Sequence, residues 1–259
     1  MITEPTLEQL IHFHTEGNIG AFGSQILSIN TTTHYSIGAP GISDCYWNYA
    51  YRADGQRPKA DMHQSIKQAA ISHSIEPVIL HFENDLLPVE KLIDKESWML
   101  KCINKEHKVL MEGVQVETFS QPSREMINVF LEAYGEPDPT SDTGYSGLPE
   151  AYASAYAKQT PPPGYNSVHM LVLSTNGRSL GIASAIFNNE IIGVYSVGVR
   201  HDARRRGIGR FCTEKIVQIA RESSGAKWSF LQTEANSEVE TLYRTIGYRV
   251  KATAIMAQI

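Results

Sequence analysis

The chain has 259 residues, 42% apolar and 20% charged, with a net charge of -5. That length buries a sizeable core, as one large domain or two small ones, and the balance excludes a disordered or fibrous chain. The acidic balance argues against a general nucleic-acid binder.

The opening residues, Met1 to His14, hold acidic groups and no basic stretch, so they do not read as a signal peptide. No apolar run approaches the ~18 residues of a membrane-spanning helix. Asn30-Thr31-Thr32 matches a glycosylation sequon and is read as chance. Cys45, Cys102 and Cys212 are too scattered for a disulfide framework or a zinc site, so a cytoplasmic protein without a metal is expected. Trp47, Tyr49 and Tyr51 alternate, and either line a groove or face a core. Ala60 to Ser72 reads as a helix, Pro77 to Phe82 as a strand, Leu86 to Ile93 as a short helix and Trp98 to Ile103 as a strand.

A composition break near residue 112 follows the polar Asn104–Lys108 turn. It divides the chain into a divergent lobe, 1–111, and a second lobe, 112–259, with a similar succession of elements. In the second lobe Ser123 to Tyr134 reads as a helix and Pro161 to Gly164 as a loop. Val168–Ser174 and Gly181–Phe187 flank Asn176-Gly177, a hairpin signal that asks both turn residues to tolerate positive φ. Ile191–Val199 completes an antiparallel meander. Ile208, Phe211, Cys212, Ile216, Ile219 and Ala220 then share one helical face, with Gly225 as the C-terminal stop. Trp228 to Thr233 reads as a buried strand. Ser237 and Glu240 fit a capping box that opens a helix carrying Val239, Leu242, Tyr243 and Ile246. Gly247 ends that helix and Tyr248 to Met256 is β. A helix crossing between two strands implies that they run parallel.

The segment with the clearest chemistry is Val197-Gly198-Val199-Arg200-His201-Asp202-Ala203-Arg204-Arg205-Arg206-Gly207-Ile208-Gly209-Arg210. A strand runs into a basic loop with two glycines, and the loop opens directly into a helix. The N–H groups of a helix N-terminus converge on one spot, and the helix dipole adds positive potential there. Gly207 and Gly209 remove Cβ atoms from the approach, and arginines pair with phosphate oxygens at the rim. The physics describes an anion site suited to a diphosphate. The loop is not the G-x-x-x-x-G-K-[ST] of a nucleoside triphosphatase, nor the G-x-G-x-x-G of a dinucleotide fold.

Arg204-x-x-Gly207-x-Gly209 resembles the R/Q-x-x-G-x-G/A pattern of the GNAT acetyltransferase superfamily. Asn236, Leu242-Tyr243 and Gly247-Tyr248 are similar to that family's N-x-x-A-x-x-L-Y-x-x-x-G-F/Y motif, with Val239 in place of the usual Ala. The resemblance covers about Gly113 to Ile259. It implies an α/β (α+β) fold with a mixed, mostly antiparallel twisted sheet flanked by helices, here preceded by a divergent lobe of similar architecture. It also implies an acetyl-coenzyme A (acetyl-CoA) dependent N-acetyltransferase acting on a primary amine by direct attack. Val197, Gly198 and Val199 would offer backbone groups to the acetyl carbonyl and pantetheine arm. Arg204, Arg205, Arg206, Gly207, Ile208, Gly209 and Arg210 would hold the pyrophosphate. Asn236 would touch the pantetheine, and Tyr243 would contact the cofactor near its sulfur and protonate the leaving thiolate. The family often places a Glu on the strand read at Ile191–Val199, and this strand has none. Glu190, Glu234, Ser196 and His169 are the nearby polar groups; Glu234 ranks slightly ahead as base.

Six acidic residues (Glu125, Glu132, Glu136, Asp138, Asp142 and Glu150) run uninterrupted by Lys or Arg, with Tyr134, Tyr145, Tyr152 and Tyr156 among them. Such a stretch attracts a cationic amine, small molecule or peptide, or is an ordinary solvated loop. Tyr243 also suits a plain core aromatic. His169 and Cys212 read as core residues. Gly55-Gln56-Arg57-Pro58 lacks the second glycine of an amide cradle, so the first lobe is expected to hold no second cofactor. The rival readings are a non-catalytic acyl-CoA-binding sensor and an interaction scaffold whose basic loop meets nucleic acid.

Overall fold

The structure is a computed structural model and describes residues 3–83, 85–103, 108–137 and 145–259. The chain forms two compact units: residues 1–101 with 230–259, and residues 102–229. Among the described residues no helix is long and apolar enough to cross a membrane.

The first unit begins with α1 (Leu7–Gly17), opened by a reciprocal capping box. The Gln9 N–H donates to the Thr6 hydroxyl at 3.2 Å, and the Thr6 N–H donates to the Gln9 side chain at 2.8 Å. Strands β1 (Gly23–Ser28), β2 (Thr33–Gly38) and β3 (Tyr49–Arg52) follow. Asn30 shapes the β1–β2 turn, its side-chain oxygen accepting the N–H groups of Thr32 and Thr33 at 2.8 Å each. A 3-10 turn (Ala60–Met62) leads into α2 (His63–Ser72) and then β4 (Val78–His81). With α2 as the crossover, β3 and β4 run parallel, Ala50 opposite Ile79. Ile66 and Ala70 of α2 are buried against Tyr35, Ile37, Ala50 and Ile79.

Next comes β5 (Lys91–Cys102), and here the expected Leu86–Ile93 helix is corrected. Residues 86–90 form no helix and 91–93 are already strand. Pro88 pushes Leu87 away from helical geometry, and β-branched Val89 and Ile93 favour extension.

The second unit holds β6 (Val114–Phe119), α3 (Arg124–Tyr134), the short paired strands β7 (Glu136–Pro137) and β8 (Tyr145–Ser146), and α4 (Glu150–Ala157). The meander β9 (Asn166–Ser174), β10 (Ser179–Phe187) and β11 (Ile191–Val199) comes next, then a 3-10 turn (His201–Ala203) and α5 (Ile208–Ser224). Its strands lie in the order β11-β10-β9-β6, all antiparallel. At the β9–β10 turn only Gly177 has positive φ (80°), and the Gly177 N–H donates to the Ser174 carbonyl at 2.9 Å. The turn is a type I turn followed by a left-handed glycine, so Asn176 need not adopt positive φ as the two-residue reading required.

All nine residues of β10 are buried, because helices cover both of its faces. A Cβ on Gly181 would lie 2.9 Å from the Gly198 carbonyl oxygen, 3.0 Å from Ile208 and 3.2 Å from Cys212. Gly181→Ala is expected to push α5 off the sheet and destabilise the protein by about 1–3 kcal/mol. A lowered urea midpoint with an unchanged slope would show it.

The chain returns to the first unit within β12 (Trp228–Glu234) and adds α6 (Glu238–Thr245) and β13 (Arg249–Gln258). Strand order in this unit is β1-β2-β3-β4-β13-β5-β12, with β13 antiparallel to both neighbours. Each unit therefore carries a mostly antiparallel sheet flanked by helices, the class expected. The units cut the chain differently from the lobes 1–111 and 112–259: residues 230–259 pack with 1–101. The aromatic core of the first unit is Phe13, Phe82, Trp98 and Phe230, with Trp98 5.0 Å from Phe82 and 5.2 Å from Phe230. Tyr49 and Tyr51 are buried, and Tyr51 also lines a cavity with Ile11, Ile26 and His34.

Candidate functional site

In the second unit, the segment from β11 to α5 forms the strand–loop–helix that the sequence implies. Register along β10 and β11 slips between Ile182↔Gly198 and Ser184↔Tyr195, so β11 carries one extra residue there. Ser196 takes φ 51° at this bulge. A left-handed non-glycine is strained, and a bulge frees backbone groups that a regular ladder would pair. The Val197 carbonyl accepts the Tyr134 hydroxyl at 3.1 Å. A Cβ on Gly198 would lie 2.9 Å from Ala133 Cβ, so glycine lets α3 sit close against this end of the strand. In the sequence Ser196 stands out only as a polar group. Its conformation had no signal, because no glycine marks the bulge.

Beyond β11, Arg205 (φ 60°) and Gly207 (φ 79°) are both left-handed, and Gly207 is the N-cap of α5. Alternation of this kind turns successive N–H groups toward one side, a cradle for anions. No side chain caps this helix terminus. The nearest atom to a Cβ on Gly207 would be Met111 Cε at 3.7 Å, an ordinary contact, so it is the left-handed φ and not crowding that asks for glycine here. The residues fit a diphosphate.

The basic side chains divide by role. Arg200 is clamped: Glu132 receives Nη1, Glu125 receives Nη2 at 2.9 Å, and Ser179 receives Nε at 2.9 Å. Glu132 also accepts the His201 N–H at 3.0 Å, which fixes the start of the loop. The Ser179 hydroxyl, and after it Arg200, hold the Glu125 carboxyl below its ordinary pKa. Arg204 turns back, donating to the Val199 carbonyl at 3.3 Å and the Ala133 carbonyl at 3.1 Å. Arg206 is exposed, and Arg210 pairs with Glu214 at 3.0 Å.

These contacts revise the acidic-stretch expectation. Glu125 and Glu132 bind Arg200, and Tyr156 is fully buried, stacked on Phe130 at 4.6 Å. Glu136 and Glu150 are exposed. Asp138, Asp142 and the Tyr145 side chain lie outside the described residues. His169 is a core residue, its Nδ1 2.9 Å from the Ser184 hydroxyl, with burial pulling its pKa down to about 4. Cys212 is equally buried, as expected of a core thiol.

The remaining site residues belong to the first unit. Glu234 is exposed at the end of β12, and Asn236 follows in a left-handed turn (φ 62°). Ser237 caps α6 by accepting the Glu240 N–H at 3.1 Å. The reciprocal half of the expected capping box is replaced: Glu240 instead accepts the Asn236 N–H at 2.7 Å and the Ser97 hydroxyl at 2.7 Å. Burial pushes its pKa up, but Ser97, the Asn236 amide and Arg244 outweigh burial and hold it below the ordinary value. Tyr243 is 7% exposed, 5.9 Å from Tyr248 between ring centres. Val239, read as one of the apolar residues carried by this helix, is 47% exposed.

Residues 124–248 match the sequence model of the acetyltransferase (GNAT) family. This segment is a GNAT sequence. It spans both quoted motifs, from the helix α3 to Tyr248. No curated protein matches the chain. Among solved structures, a GCN5-related N-acetyltransferase from Kribbella flavida is similar over 99% of this chain and 96% of its own, with TM-score 0.65 and 17% identity. A tandem GNAT protein from the clavulanic acid biosynthesis pathway is similar over 88% of this chain and 78% of its own (TM-score 0.59, 9% identity). A GCN5-related N-acetyltransferase from Sphaerobacter thermophilus is similar over 90% and 82% (TM-score 0.55, 16% identity). At these identities the likeness is one of fold. The GNAT architecture therefore extends beyond the matched segment into the N-terminal part of the chain.

Proposed function

We propose that the protein is an acetyl-CoA-dependent N-acetyltransferase acting on a primary amine, located in the cytoplasm. The observation that carries this reading is the uncapped N-terminus of α5 behind the left-handed pair Arg205 and Gly207. Acetyl-CoA supplies the activated acyl thioester. In this reading the amides of the 204–210 turn hold its pyrophosphate, with Arg206 the exposed arginine best placed for the rim. Val197, Gly198 and Val199 offer backbone groups to the acyl carbonyl and pantetheine arm, a strand N–H polarising the carbonyl as charge develops. Asn236 contacts the pantetheine. Tyr243 gives a proton to the departing thiolate, a transfer that a phenol can make. Glu234 stands first among the bases that the sequence offers, and of the two lobes read in the sequence, 1–111 and 112–259, only the second holds cofactor.

Titration calorimetry with acetyl-CoA is expected to give micromolar affinity, on the order of -8 kcal/mol. Gly209→Trp is expected to abolish it, because an indole fills the phosphate space; undiminished binding would refute the assignment. Tyr243→Phe is expected to slow acyl transfer while leaving acetyl-CoA binding intact. Full activity in that variant would favour a sensor that binds acyl-CoA without turnover.

A further inference from the structure

Each unit sets helix ahead of an antiparallel meander, but the two meanders are covered differently. In the second unit α3 packs on β10 and β11, and α4 adds Tyr156. The Tyr156 ring stands perpendicular to His169 at 6.3 Å, and its hydroxyl lies 3.3 Å from the Ser184 hydroxyl. His169 and Ser184 are cross-strand partners, so a phenol closes the polar spot on that sheet face. Among the described residues of the first unit, α1 alone precedes β1, β2 and β3, and no second helix brings such a ring.

What lies there is a cavity of about 450 Å³ between α1 and the strands. Native interiors hold few voids larger than a water molecule, and small-molecule pockets begin at about 300 Å³. His34 and Tyr51 are cross-strand partners with ring centres 5.6 Å apart, and Ile26 shares their face. Ile11 and Ile19 supply apolar wall from the helix side. The polar groups keep bonding capacity. The His34 side chain makes no hydrogen bond among the described residues, only its ring contact with Tyr51. The Thr15 hydroxyl donates to the Ile11 carbonyl at 2.8 Å, so it accepts from Tyr51, at a long 3.4 Å. The Tyr51 oxygen therefore keeps its lone pairs. At the mouth, Glu16 sits 3.1 Å from exposed His12. Burial pushes the Tyr51 pKa up and the Glu16 carboxylate adds to the rise against the Thr15 bond, so negative potential reaches the cavity floor.

We propose that this cavity binds a small molecule built on a hydroxylated aromatic ring, uncharged or cationic, whose ring packs among Ile11, Ile19 and Ile26 and whose hydroxyl donates to the His34–Tyr51 pair. The isoleucines remove the ring from water. An imidazole nitrogen without a proton, or the phenol oxygen of Tyr51, accepts the ligand's hydroxyl proton. Glu16 turns away an anionic ring substituent. The ligand then does for this sheet face what Tyr156 does for the other one. The site lies wholly within the first unit and does not depend on the acyl-transfer reading.

Titration calorimetry of the full chain with 4-ethylphenol tests it, and one saturable site with Kd on the order of 1 mM or tighter is expected. The control 4-ethylanisole keeps the ring and lacks the hydroxyl proton; it is expected to bind roughly tenfold more weakly, the loss of one hydrogen bond. Ile26→Trp places an indole in the cavity from a half-buried position on the edge strand, and is expected to abolish binding. His34→Leu is expected to weaken the phenol roughly tenfold and to leave the anisole almost unchanged, a selectivity that a loosened fold would not produce. Thermal melting of each variant checks that it is folded. No saturable phenol signal in the wild type would mean a water-filled gap and overturn the proposal. So would equal affinity for phenol and anisole, a preference for anionic 4-hydroxyphenylacetate, or wild-type phenol affinity in a folded Ile26→Trp. Failure to bind acetyl-CoA would instead remove the acyl-transfer reading and leave this site standing.

Discussion

Glu132→Ala is expected to destabilise the protein by about 3 kcal/mol and to lower its melting temperature by roughly 6–12 °C. The carboxylate has 9% of its side chain exposed and its Arg200 partner 20%, so the pair is mostly withdrawn from water. Removing Glu132 leaves the Arg200 guanidinium to Glu125 and Ser179 alone, and leaves the His201 N–H without its acceptor. Those losses fall at the junction of α3, β11 and the basic loop. The variant is therefore also expected to bind acetyl-CoA more weakly, through a loosened turn and with no phosphate contact removed. Circular dichroism melting, paired with calorimetry on still-folded protein, reads both effects. Glu132→Gln keeps an acceptor for His201 and is expected to lose less than Glu132→Ala. Equal losses in the two would show that the charge, and not the hydrogen bond to the loop, holds this corner together.

Glu96→Gln is expected to make the ligand-free protein more stable at pH 8 and to leave it unchanged at pH 4. The folded-state pKa, about 7, lies above that of an unfolded Glu, so the folded state binds the proton more tightly. Stability is therefore highest below the unfolded pKa and declines as pH rises toward the folded one, where an enclosed carboxylate must carry charge. At about 1.4 kcal/mol per pKa unit, the full difference at pH 8 is on the order of 3 kcal/mol. An amide carries no such penalty. Denaturant titrations of both proteins at pH 4, 6 and 8 test it, and a gap independent of pH would contradict the enclosed charge.

Much of the second unit was legible because its signals are local. The apolar, valine-rich run Ile191–Val199, the periodic face of α5 and the glycine at 225 need no tertiary information, and each element lies where its residues put it. The first unit was harder. Residues 7–17 contain Ile11-His12-Phe13-His14, an apolar–polar alternation that imitates a strand, and the signal of a helix is the capping pair Thr6 and Gln9. Strand β1 has only Gly23 buried, so its sequence shows little apolar pattern at all. At the site, the glycines of the anion cradle were visible, while the bulge at Ser196 was not. Arg200 and Arg204 looked alike in sequence. Only the positions of Glu125, Glu132 and two backbone carbonyls separate these arginines from a ligand-facing one. The raised pKa of Glu96, in the first unit's interior, was hidden for the same reason, since its environment comes from Cys45, Tyr46, Asp94 and Trp98, brought together by the fold.

The placement of β13 has a consequence for how the chain is made. This strand lies between β4 and β5, yet it leaves the ribosome after every other strand and helix described above. Residues 102–229 are contiguous and are complete before it emerges. Until then β4 and β5 each keep an open backbone edge, the kind that recruits other chains. Nascent protein halted near residue 230 is thus a species for chaperones to guard, with one unit finished and the other waiting for its central strand.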